Sequence, residues 1–152
     1  MKAFMDKDFL LDTETARRLY HEEAAGLPIF DYHCHLSPKE IAENKPFSDI
    51  AELWLKGDHY KWRIMRSNGA DESLCSGKAS WADKFVAFAA AMEKAPGNPL
   101  LHWSHLELKR TYGIGEVLTV KNALAIRERA NAVIAERGDT PRSMFAHYDV
   151  AV

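Results

Sequence analysis

The sequence is poor in several features that mark whole classes of protein. Cysteine is scarce: of 152 residues only Cys34 and Cys75 carry thiols. They stand far apart without C-x-x-C spacing, which argues against a disulfide scaffold and predicts reduced, partly buried small residues. A basic excess is also missing. Twenty Lys and Arg against 22 Asp and Glu leave a formal net charge of -2 and a pI near 6.4, and the cations are scattered. No positive field is available for a phosphate backbone, so no nucleic-acid partner is expected. No stretch approaches the roughly 20 apolar residues of a spanning helix, and Met1 to Asp8 has no apolar signal core. These absences predict a cytoplasmic protein with no membrane partner. Repeats and low-complexity tracts are absent too. What is present, 47% hydrophobic and 28% charged residues, is globular material for one core and one ordinary domain.

The most informative stretch is Ile29-Phe30-Asp31-Tyr32-His33-Cys34-His35-Leu36-Ser37-Pro38. In an extended chain alternate side chains share a face, so His33 and His35 can close on one metal ion while Cys34 points away. Ser37, Pro38 and Glu40 then read as N-cap, first helical residue and capping-box acid. Strand, ligands, helix is the order of a βα loop. The same pair reads equally as two half-buried strand histidines. A catalytic zinc site usually takes three protein ligands, and two imidazoles alone hold metal weakly. Asp31 is a candidate acceptor for orienting one ring.

Along the chain, Asp12 or Thr13 caps a helix through Glu23, with Gly26 as its stop. Beyond the helix at Pro38 to Glu43, Ser48 is the expected cap of a helix over 49–56, and Asp58 that of one over 59–66, ended by Asn68-Gly69. Ser80 opens a helix through Met92, 100–112 continues the helical pattern, and Thr119 caps the longest helix, up to Gly138. Thr140-Pro141 restarts a short helix before a strand at 148–152. His102 and His105 share a helix face but lack a convincing third ligand apart from Glu107 nearby, which favours structural roles. Trp54, Trp62, Trp81 and Trp103 read as core and interface aromatics, His21 and His147 as surface.

Three separated motifs together carry a resemblance: Phe30 to Pro38, Gly57-Asp58-His59-Tyr60-Lys61-Trp62-Arg63, and Leu101-His102-Trp103-Ser104-His105-Leu106-Glu107-Leu108. Along essentially its whole length the chain resembles the N-terminal portion of uronate isomerase, also called glucuronate isomerase, of the amidohydrolase superfamily. The resemblance implies a mostly α fragment of an α/β (β/α)8 barrel. Residues 1–38 would supply the N-terminal helix and first barrel strand with its metal loop, 39–118 a helical insertion, and 119–152 the return helix and start of the second strand, a truncated single domain. A whole barrel takes about 250 residues.

The implied reaction is aldose-ketose isomerisation, D-glucuronate to D-fructuronate and D-galacturonate to D-tagaturonate. His33 and His35 fall on metal ligands. His59, Tyr60 and Arg63 fall on the substrate-binding segment, with Tyr60 catalytic; spacing alone reads His59 and Tyr60 as ordinary interfacial packing and Arg63 as solvated surface. The implied cofactor is a divalent metal, zinc first and manganese or iron as alternatives, held weakly or not at all by the fragment. The remaining ligands belong to later strands, so the 152-residue chain is expected to lack turnover alone. Its expected partners are a uronic acid substrate and either a second copy, as a homo-oligomer, or the C-terminal barrel portion. Two other readings are a metal-dependent hydrolase of the same superfamily and a non-catalytic helical binding or assembly domain.

Overall fold

The computed structural model describes residues 4–151. In chain order it contains α1 (Glu14–Arg18), β1 (Ile29–Phe30), α2 (Pro38–Glu43), α3 (Ile50–Leu55), α4 (His59–Ser67), α5 (Trp81–Glu93), α6 (Pro99–Tyr112), α7 (Ala123–Arg137), α8 (Pro141–His147) and β2 (Val150–Ala151). The fold is mostly helical with one short parallel sheet. It divides into two compact units, one of residues 1–44 with 140–152 and one of residues 45–139. The division falls at 44/45 and 139/140, whereas the sequence suggests breaks at 38/39 and 118/119. The reason lies in packing: α2 pairs with α8, and α7 packs on α3, α5 and α6.

The helical unit, 45–139, contains the hydrophobic core. Phe85, Phe88 and Met92 of α5, Ile50 and Leu55 of α3, Met65 of α4, Leu108 of α6 and Ile126 and Ile134 of α7 are all buried. These positions recur at helical spacing, so each helix turns one apolar stripe inward. Trp54 packs its ring against Phe85 and Phe88, with centroids 5.8 Å from each. Its indole N–H donates to Glu107 Oε1 at 2.8 Å. Trp62 and Trp81 are packed against this core. Of the four tryptophans expected as core and interface aromatics, Trp103 is the exposed one, at 61%, on the outer face of α6.

Most helix starts lie where the sequence places them. Thr13, Ser37, Asp58, Ser80 and Thr140 each accept an N–H of the first turn. Two do not. The cap of α3 is Asp49 rather than Ser48, because its carboxylate accepts Ala51 N–H at 2.7 Å while also holding the Arg127 guanidinium. Thr119 does not cap α7: its N–H and hydroxyl both donate to Asn122 Oδ1, making a turn ahead of the helix at Ala123. Downstream of α1 the backbone continues over Leu19–Ala24 as π-helix.

The smaller unit holds β1, α2, α8 and β2. β1 and β2 pair in parallel, Ile29 with Val150 and Phe30 with Ala151. Its helices bury little; Pro141 is the one buried residue of α8, and α1 and α2 have none. Cys34 is exposed, against expectation, because it sits in a loop; Cys75 is buried among the helices of the other unit.

Candidate functional site

The smaller unit presents the two histidines. Ile29 N–H donates to Asp149 O at 2.8 Å, and the ladder ends at Phe30. His33 and His35 therefore stand in the loop beyond the strand rather than within it, as the sequence order strand, ligands, helix requires but its extended alternation does not. Asp31 shapes this loop through the backbone: its Oδ1 accepts His33 N–H at 3.2 Å, an Asx-type turn. Cys34 Sγ lies 3.8 Å from Leu36 O, a weak local contact. Ser37 and Glu40 close the loop with a reciprocal capping box, Glu40 N–H to Ser37 Oγ at 3.1 Å and Ser37 N–H to Glu40 Oε2 at 3.3 Å.

Within this loop the imidazoles of His33 and His35 lie together, ring centres 5.6 Å apart and planes at 78°. Both are exposed. Two imidazoles sharing one tetrahedral ion through bonds of about 2 Å would place their ring centres roughly 5 Å apart. The observed separation of 5.6 Å is close to that value, and imidazole nitrogens are donors that suit zinc and iron. No group of three or more His, Cys, Asp or Glu side chains suited to a metal occurs among the described residues.

The helical unit presents His59, Tyr60 and Arg63 on the first turns of α4. The chain enters α4 through Asp58, whose Oδ1 accepts Tyr60 N–H at 2.9 Å and Lys61 N–H at 3.3 Å. Lys61 Nζ donates to Asp58 Oδ2 at 2.7 Å. Burial alone would raise the Asp58 carboxyl, but the Lys61 ammonium and the two backbone donors outweigh it and hold the group below its ordinary value. Met65 is buried and Trp62 donates its indole N–H to Leu55 O at 2.7 Å, which anchors the inner face of the helix. The outer face then carries a stack. His59 and Tyr60 have ring centres 4.4 Å apart at 33°, and the Arg63 guanidinium carbon lies 5.5 Å from the Tyr60 centroid. Tyr60 is 45% exposed. An exposed phenol flanked by a guanidinium and an imidazole offers donors for an anionic, oxygen-rich ligand.

Asp58 is legible in the sequence as the cap of α4, but its ion pair with Lys61 behind this stack goes unread there. Lys61 stands three residues after Asp58, and that opposite-charge spacing on one helix face is the signal that finds it. Glu107 is half-buried, and burial pushes its carboxyl up despite the Trp54 hydrogen bond and the nearby Lys61 charge. The α6 histidine His105 is structural, as expected. Its Nδ1 lies 2.7 Å from Leu101 O, and Leu118 N–H donates to Nε2 at 2.9 Å. The ring is thus the neutral tautomer with hydrogen on Nδ1, and burial lowers its pKa.

The whole chain, residues 1–152, matches the family profile described as glucuronate isomerase. The chain belongs to the glucuronate isomerase family. A uronate isomerase of Caldanaerobacter subterraneus subsp. tengcongensis is 51% identical over 152 residues, covering 100% of this chain and 33% of that protein. A uronate isomerase of Brachyspira hyodysenteriae is 60% identical over 131 residues, 86% of this chain and 28% of that one. The crystal structure of uronate isomerase from Thermotoga maritima superposes with a TM-score of 0.90 at 36% identity, over 98% of this chain and 32% of that one. The chain thus spans about a third of the length of the glucuronate isomerase relatives it matches.

Proposed function

We propose that this chain supplies part of the active site of a uronate isomerase, contributing two metal ligands and a substrate-facing helix. The observation that carries the reading is the edge-on His33 and His35 pair, 5.6 Å apart, in the loop that follows a parallel strand. On this reading β1 and β2 are the first two strands of a (β/α)8 barrel of the amidohydrolase superfamily, with the helical unit inserted between them. Active sites of such barrels gather in the loops after the strands, which is where the histidines stand. The proposed setting is cytoplasmic; no helix among the described residues is long and apolar enough to cross a membrane.

The proposed substrates are glucuronate and galacturonate in their open-chain forms. Moving a proton from C2 to C1 passes through an enediolate, so negative charge develops on adjacent oxygens. His33 and His35 would hold a divalent cation, zinc first and manganese or iron as alternatives, which when bound supplies charge stabilisation at those oxygens. The Tyr60 phenol hydrogen-bonds a developing oxyanion and can give or hold a proton there. The Arg63 guanidinium and the His59 ring bind the uronate carboxylate, and the Asp58 and Lys61 pair holds the turn that presents all three.

The test is complementation. The 152-residue chain is mixed with a segment carrying the remaining two thirds of the Caldanaerobacter relative, and conversion of glucuronate is followed by NMR. The chain alone is expected to give no turnover and the mixture to give some. His33→Ala is expected to abolish it, and Tyr60→Phe to reduce it about 100-fold. Turnover indifferent to both substitutions, or consumption of amides and lactones in place of uronates, overturns the proposal.

A further inference from the structure

Arg142 lies at the second position of α8, and its side chain serves another helix. Its Nε donates to Ile41 O at 3.2 Å and its terminal nitrogen to Ala42 O at 3.4 Å, two of the last carbonyls of α2. Its backbone N–H donates to Asn44 Oδ1 at 3.0 Å. Asn44 is the C-cap of α2, with φ of 48°, and its own N–H already satisfies Glu40 O. The carbonyls that a helix end leaves without intrahelical partners are therefore met by a guanidinium from far along the chain, placed where the helix dipole favours a cation.

The consequence reaches the histidine loop through a ring of contacts within the smaller unit. The loop leaves β1, which is fixed by its pairing to β2. At its other end it enters α2, a helix of only six residues with no buried side chain. Such a helix has little packing of its own to fix its direction. We propose that Arg142, with Asn44, is a positioning residue for His33 and His35, setting the direction of α2 and so the spread of the two rings. This rests on the proposed metal role of that pair. Arg142 itself is exposed, so replacing it empties no core.

The test uses the 152-residue chain and zinc ion alone, with the imidazole NMR signals of His33 and His35 as readout. The native chain is expected to shift both sets of signals on titration. Arg142→Met is expected to weaken the zinc affinity about fivefold, the equivalent of one hydrogen bond of about 1 kcal/mol. Arg142→Lys is expected to recover part of the loss, since an ammonium still offers a donor to one carbonyl. Asn44→Gly keeps the left-handed backbone while deleting the acceptor and is expected to weaken binding about twofold, a second route if Arg142→Met does not fold. Amide exchange protection across 45–139 is expected to stay unchanged in all three, which a general loss of structure would not allow. Native-like affinity and ring shifts in both Arg142→Met and Asn44→Gly overturn this proposal. Zinc shifting neither ring in the native chain overturns the metal reading beneath it.

Discussion

The two units divide their labour unequally. The helical unit holds the entire hydrophobic core cluster, while the smaller unit leaves Leu10, Leu19, Leu27, Ile29, Phe30 and Tyr32 exposed, Tyr32 completely. Yet each unit carries half of the proposed chemistry, a histidine pair on the lightly packed side and a phenol, guanidinium and imidazole stack on the well-packed side. The stack on α4 is held from behind, by buried Met65 and by the Trp62 indole N–H donating to Leu55 O. A loop between a two-residue strand and a six-residue helix must obtain its geometry from hydrogen bonds and caps instead.

The sharpest way to break this comparison is to empty the core. Phe88→Ala is expected to destabilise the helical unit by about 3–5 kcal/mol, read by urea denaturation, because a fully buried ring leaves a cavity. A loss below about 1 kcal/mol would mean that the core collapses to fill it, and that rigidity is not what separates the units. Next in size is His105. Removing its ring by His105→Ala leaves the Leu118 N–H without its acceptor in a buried setting, an expected loss of about 1–3 kcal/mol.

The same histidine gives a pH signature. Its folded pKa lies below the ordinary 6.5 because burial disfavours the imidazolium, so the unfolded chain takes up the proton first. Its contribution is therefore complete above about pH 6.5 and is lost as pH falls through the folded value. Urea midpoints measured from pH 7 downward are expected to fall less steeply in His105→Ala than in the native chain. Equal slopes would remove His105 from the acid response.

Smaller effects come from the helix start and the exposed face. Asp58→Ala is expected to cost about 1 kcal/mol as a lost cap, with fraying of the turn that carries His59 and Tyr60. Phe30→Ala, at a 79% exposed position, is expected to change stability by less than about 0.5 kcal/mol. Phe30→Lys is expected to lower light scattering of concentrated chain, since an exposed apolar edge promotes association. A large stability loss at Phe30 would show that the smaller unit has more of a core than its exposure indicates.

Much of this was legible in the residues, where the physics is local. The capping box at Ser37 and Glu40, the cap at Asp58 and the left-handed Gly69 each depend on side chains within a few positions of their target. What the residues concealed is non-local. Asp49 rather than Ser48 starts α3 because Asn131 and Arg127 of α7 complete that end, with Ile50 N–H donating to Asn131 Oδ1 at 2.8 Å. The residues read all four tryptophans alike, as core and interface aromatics, and only the packing of α6 shows that the face carrying Trp103 is left outside. Among the described residues the strand ends at Phe30, short of His33. The histidine pair could be named from sequence; the mutual angle of its rings could not, since side-chain torsions are not encoded in residue spacing.

The pairing of Ile29 with Val150 has a kinetic corollary. Those two positions are separated by more than a hundred residues, and joining them in an unstructured chain is slow, since closure entropy rises with loop length. Phe47 N–H, however, donates to Asp139 O at 2.8 Å, so the helical unit brings its own two ends side by side once it has folded. The span left to close then shrinks to the short flanking segments, lowering the entropic barrier by about 1–2 kcal/mol. The sheet beside the histidines is accordingly expected to form after the helical unit, seeded by the chain that interrupts it.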